Sequence, residues 1–160
     1  MQILFPNPNG LKHDEEPALV NPLVLAYLGD TLYDLYVRTR LVCATHAQAG
    51  RLHKQAIHYV KAAGQARALL YLMDQLSEKE LSIVKRGRNA KSPTVPKNST
   101  ITDYRHATAF EALLGYLYLA GETERAEELM GMAFEFMAKE DQYAPGQAQR
   151  KTFESHGRPR

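Results

Sequence analysis

Two acidic residues stand where acids are not expected. Asp30 falls in NPLVLAYLGDTLYDLYVRTR, residues 21–40, and Glu111 in DYRHATAFEALLGYLYLAGE, residues 103–122; both segments are mainly apolar around these acids and helical in period. A carboxylate among apolar side chains must be neutralised, paired or bound to a cation, because desolvating it alone is costly. The plain explanation of Asp30 is a salt bridge to an arginine or lysine elsewhere in the chain. The chemical one joins both acids. Magnesium prefers carboxylates and water, so one or two protein carboxylates and a substrate phosphate suffice to hold it. A bound metal can lower the pKa of water and stabilise charge on phosphorus, so metal-assisted phosphodiester hydrolysis follows as a hypothesis.

A basic segment supplies the complementary feature. Lys85, Arg86, Arg88, Lys91 and Lys97 lie between residues 85 and 102 with no acid among them. The formal net charge of +2 is therefore concentrated, and the rest of the chain carries fifteen bases against eighteen acids. A solvated loop would explain such a block, and so would a phosphate-contacting segment.

The elements that position these groups read as helices throughout. Asn21 is a candidate cap and Pro22 fits the first helical position. On the helical wheel Leu25, Leu28, Leu32, Leu35 and Tyr36 form one stripe, and Leu23, Ala26, Tyr33 and Val37 surround Asp30, so both faces are expected to be buried. Thr45 is a candidate cap for a second run reaching about residue 75 and broken near Gly64, with Arg51, Lys54, Lys61 and Arg67 on an outer side. Ser77 and Glu80 form a capping box that opens a helix over residues 77–90, with Leu81 and Val84 inward. SPTVPKNST cannot be a regular helix, so a loop follows. In the Glu111 helix, Ala107 and Gly115 share the side of the acid and would admit another helix closely; Gly121 is a natural stop. A last amphipathic helix over about 123–139 turns Ala126, Leu129, Met130, Ala133, Phe134 and Met137 inward. The fold class is all-α: a leader over 1–20, one domain over 21–140 and a flexible basic tail over 141–160.

Composition narrows the alternatives. With 44% hydrophobic and 24% charged residues in 160, the chain can bury a core without disulfides, and no apolar run approaches the roughly 20 residues that span a membrane. The single cysteine, Cys43, reads as a small core residue rather than a nucleophile. His46, His53 and His58 lack the i, i+4 spacing of a zinc pair and read as surface or hydrogen-bonded residues. His13 and Asp14 form a chance pair in the leader. The N-terminus does not read as a secretory signal, so the cytoplasm is the expected compartment.

LAYLGDTLYDLYV resembles the ribonuclease III signature, a helix with a Leu-Gly-Asp core, and FEALLGYLYLAG resembles the second catalytic helix of that family. With VKRGRNAK, the short length and no double-stranded RNA-binding domain after residue 140, the chain looks like the Mini-ribonuclease III branch. The resemblance, over roughly residues 20–140, implies a dimeric helical endonuclease domain that cuts double-stranded RNA with Mg2+. In bacteria it implies maturation of precursor 23S ribosomal RNA, with a large-subunit ribosomal protein or pre-ribosomal particle as a further partner. By position, Asp30 and Glu111 match the catalytic, magnesium-associated acids. Lys85, Arg86, Arg88, Lys91, Lys97 and Arg105 are the expected RNA-binding residues. Ala26 and Thr108 stand where full-length members carry further acids, so the metal site is thinner. Asp34 reads as half of an ion pair rather than a ligand. Two other readings compete: a non-catalytic helical RNA-binding or assembly protein with this fold, and a metal-dependent nucleotide hydrolase, which leaves the basic segment unexplained.

Overall fold

A computed structural model describes residues 14–92 and 94–143, the side chains of 141–143 excepted. Most of the leader, including His13, and the tail beyond Tyr143 lie outside these residues. Six α-helices follow a short 3-10 turn at Pro17–Leu19: α1 Pro22–Ala44, α2 Ala49–Val60, α3 Ala62–Leu72, α4 Glu78–Asn89, α5 Ile101–Leu119 and α6 Thr123–Tyr143. A second 3-10 turn at Met73–Gln75 links α3 to α4. Among the described residues there is no strand, in keeping with the all-α expectation.

The central helix is α5. From Ala107 to Tyr118 it is apolar nearly all round, and Ala107–Phe110 and Ala112–Tyr118 are buried, the pattern of a helix covered on every side. Helices α1, α3, α4 and α6 surround it. Its ends follow the expected chemistry: the Thr100 side chain accepts from the Asp103 N–H, and Gly121, at φ 76°, closes the C-terminus in the left-handed conformation that suits glycine.

Glycines allow the closest crossings. A Cβ on Gly29 would lie 1.7 Å from the Glu111 carbonyl oxygen, and one on Gly115 would lie 2.0 Å from that of Leu25. Leu25 thus faces Gly115 and Gly29 faces Glu111, which sets α1 and α5 antiparallel with their backbones in contact. Gly87 does the same for α4, where a Cβ would come within 2.8 Å of the Ala109 Cα. This glycine is part of a helix wall and not of a flexible basic loop.

Several local expectations shift. The Asn21 side chain does cap α1, accepting from the Leu23 N–H at 2.9 Å, but the helix continues four residues past Arg40 to Ala44. Thr45 ends α1 instead of starting α2: its hydroxyl donates to the Leu41 carbonyl. The break in the second run falls at Lys61, whose extended backbone separates α2 from α3. Gly64 serves that corner, because a Cβ there would meet the His58 carbonyl oxygen at 2.4 Å. The Ser77–Glu80 capping box forms on both sides, and Glu80 also pairs with Arg125 at 2.8 Å, tying α4 to α6. Every apolar residue expected inward on α6 is buried.

Two burial expectations fail. Cys43 is exposed, since α1 runs past the core and its last turn projects beyond it. Only one face of α1 is buried: Val24, Tyr27, Leu35 and Val42 are exposed, Tyr27 at 82%. These four lie roughly opposite Gly29 on the helix, and no element of the chain's described residues covers them.

Candidate active site

Gly29 decides where Asp30 goes. With Gly29 aimed directly into α5, the next residue stands about 100° further round the helix, at the edge of the interface. Asp30 is accordingly exposed, which corrects the expectation of a buried acid. Glu111, on the α5 side of the same crossing, is partly buried, and the two carboxyl groups share a hydrogen bond. Loss of hydration, followed by repulsion from Asp30, pushes Glu111 up to about 8, and the hydrogen bond with Asp30 adds to this while one from Gln65 opposes it. Asp30 is raised too, by loss of hydration against α5 and by the nearby charge of Asp34, with the bond to Glu111 acting the other way. Glu111 thus keeps its proton at neutral pH. The salt bridge offered as the plain explanation of Asp30 is not what holds it; its partner is the other acid.

The neighbouring positions contribute no further carboxylate. Ala26 is buried, and Thr108 is buried with its hydroxyl donating to the Tyr104 carbonyl at 2.9 Å. Asp34 pairs with Arg38 at 2.8 Å on the surface, as expected. The described residues contain no cluster of three or more His, Cys, Asp or Glu able to hold a metal, and His58 instead bonds the Met137 carbonyl. A paired set of two carboxylates fits a hard cation that keeps most of its water, such as Mg2+, better than one needing a closed protein cage. Gln65, which reaches Glu111 from α3, was not among the expected residues. Its one sequence signal is an uncharged polar side chain set between the small residues Gly64 and Ala66 in AAGQARALL.

The basic residues divide. Lys85, Arg86 and Arg88 lie in the last two turns of α4, flanking the inward Gly87, while Lys91 and Lys97 follow in the loop and Arg105 stands near the start of α5. All six are exposed. Arg86, however, donates to the carbonyls of Ala18 and Val20, the second at 3.3 Å, and so ties the segment before α1 to α4. Lys85, Arg86 and Lys91 line a cleft with Asn21, Pro22 and Leu23 at the start of α1. Asp30 lies nine residues further along α1, about 13 Å at the α-helical rise. The loop is held to α5 by the Tyr104 hydroxyl, which donates to the Ser92 Oγ at 2.9 Å.

Comparison with known proteins identifies the family. Residues 23–122 match the Ribonuclease III domain family. A Mini-ribonuclease 3 of Brevibacillus brevis is 56% identical over 119 residues, covering 74% of this chain and 89% of the relative. One of Thermoanaerobacter is 50% identical over 114 residues, covering 71% and 80%. The crystal structure of a Fusobacterium nucleatum protein superposes with a TM-score of 0.68 at 28% identity, covering 74% of this chain and 94% of that one. The chain therefore belongs to the ribonuclease III family, in its Mini-ribonuclease 3 branch, and is an endoribonuclease.

Proposed function

We propose that the chain cleaves double-stranded RNA with Mg2+ held between Asp30 and Glu111. The observation that carries this reading is the backbone contact of Gly29 with Glu111, which brings the Asp30 and Glu111 carboxyls together at the solvent-facing rim of the α1–α5 crossing. Two carboxylates this close repel when both are ionised, and a divalent cation relieves that repulsion. When bound, the cation supplies charge neutralisation at the phosphate and a more acidic water. Asp30 and Glu111 would hold it, with Glu111 ionised and its proton released to solvent. Lys85, Arg88, Lys91, Lys97 and Arg105 are free to meet phosphates on either side of the cut, with Arg86 chiefly an anchor for the leader.

A duplex presents two strands, and a homodimer would present two such sites. The exposed apolar stripe Val24, Tyr27, Leu35 and Val42 on α1 supports a second copy packed there. The family resemblance of the Asp30 and Glu111 helices supports trimming of precursor 23S ribosomal RNA in the cytoplasm as the biological task. No helix among the described residues is long and apolar enough to cross a membrane.

A gel assay on a long RNA duplex tests the reading. Cleavage should require Mg2+ and stop with chelator, and Asp30→Asn and Glu111→Gln should each abolish it while leaving duplex binding in Ca2+ nearly intact. Cleavage at the wild-type rate by either variant would move the site elsewhere.

A further inference from the structure

Gln65 is the only amide side chain among the buried polar residues described, with 2% of its surface reaching solvent. Its Nε2 donates to the Val60 carbonyl at 2.8 Å, and the amide also bonds the Glu111 carboxyl. The Val60 carbonyl is itself fixed, because it stands at the last residue of α2, next to the break at Lys61. The Gln65 Oε1, in contrast, is buried without a donor. An orphaned acceptor costs stability, and methionine would fill a similar volume without it. Packing alone therefore explains the bond to the Val60 carbonyl but not an amide whose oxygen is left orphaned.

The N–H groups give the reason. An amide can aim a carboxylate without cancelling its charge, whereas an arginine or lysine in this place would compete with a cation. Glu111 is one of only two carboxylates at the site, so its direction matters more than it would in a larger ligand set. We infer that Gln65 is a positioning residue: clamped by the Val60 carbonyl, it holds the Glu111 carboxyl toward Asp30 and sets how tightly the pair takes a divalent cation. This rests on the reading of Asp30 and Glu111 as the metal-holding pair.

The test uses Mn2+ as the probe, its binding to the full chain followed by electron paramagnetic resonance. Gln65→Met should weaken Mn2+ binding about ten-fold, the lower end of the effect expected for a residue that orients a ligand. The Mn2+ concentration needed for cleavage should rise in step, the KM for RNA should stay near wild type, and the melting temperature in chelator should stay near that of the wild type, because the lost bond to the Val60 carbonyl offsets removal of the orphaned oxygen. A merely structural glutamine gives the opposite pattern, a lower melting temperature with unchanged Mn2+ affinity, and that result overturns the inference. Nuclear magnetic resonance of the wild-type protein decides the matter should Gln65→Met fail to fold. The Gln65 side-chain amide signals should shift on adding Mg2+ and stay still in Glu111→Gln; unmoved signals in the wild type overturn the inference. Wild-type Mn2+ affinity in Glu111→Gln would instead overturn the site assignment, while loss of binding in Glu111→Gln with a normal Gln65→Met would overturn the role of Gln65 alone.

Discussion

Replacing Glu111 by glutamine should make the metal-free protein more stable, and increasingly so as pH rises. The folded chain lifts this carboxyl from 4.5 to about 8, chiefly by removing its hydration. Between those values the folded state holds a proton that the unfolded state has released, so the slope of unfolding free energy against pH is negative there. The contribution of Glu111 is complete below 4.5 and is lost as pH rises through 8. At about 1.4 kcal/mol per pH unit, that loss is on the order of 5 kcal/mol, an upper bound once the site relaxes and admits water. Glutamine cannot ionise, and its amide can still donate to Asp30. Urea unfolding in chelator, followed by circular dichroism at pH 5, 7 and 9, should find the two proteins within about 1 kcal/mol at pH 5 and the variant ahead by several kcal/mol at pH 9. Glu80, held below the ordinary carboxylate range by Arg125, titrates in both proteins and cancels in the comparison. Adding Mg2+ at pH 9 should recover stability in the wild type and not in the variant, by mass action on the folded state. A difference between the proteins that does not change with pH would refute the argument that Glu111 is buried at the cost of its charge.

The remaining expectations concern the frame around the site. Gly115→Ala forces a methyl group against the Leu25 carbonyl oxygen and should cost at least about 2 kcal/mol, lowering the melting temperature by at least about 5 °C in a thermal scan. Lys85→Ala, Arg88→Ala and Lys91→Ala together should flatten the dependence of log affinity for duplex RNA on log salt by up to about 3, taking about 0.9 per phosphate contact and measuring in Ca2+. Arg86→Ala alone should barely move that slope but should speed proteolysis before Val20, whose carbonyl it holds. Tyr27→Glu with Leu35→Glu should shift light-scattering mass at micromolar concentration to that of one chain; an unchanged dimer would place the interface away from the outer face of α1.

Legibility in the sequence followed locality. Caps and stops rest on a few adjacent residues, so Asn21, the Ser77–Glu80 box and Gly121 act as their types predict. The Thr45 assignment failed because a threonine between two helices can serve the end of one or the start of the next; here its hydroxyl reaches back to Leu41. Helical periodicity found the inner face of α6 but overstated α1, since a wheel shows that a face is apolar and not what covers it. The acids were visible as exceptions in apolar helices. Gln65 was not, because its meaning depends on Glu111, 46 positions away, and on a carbonyl exposed by a helix break. Arg86 looked like its basic neighbours for the same reason: its partners are carbonyls, which no sequence pattern displays.

The adjacency of Gly29 and Asp30 joins packing to chemistry in one dipeptide. Were the glycine any larger, the Glu111 carbonyl would be pushed away and the acids would separate. Were the two residues three or four apart, both would face α5, and the aspartate would be sealed in the interface without room for a cation or a phosphate. One residue apart, they point about 100° from each other, so the first brings α5 into backbone contact while the second stays at the rim. On α5 the complementary spacing is four: Gly115 and Glu111 share one face, the glycine meeting Leu25 while the backbone of Glu111 meets Gly29. The contact that stabilises the crossing is thus also the contact that brings the carboxyls together. A substitution that loosens α1 from α5 should therefore weaken cation binding before it unfolds the domain, even when both acids are untouched.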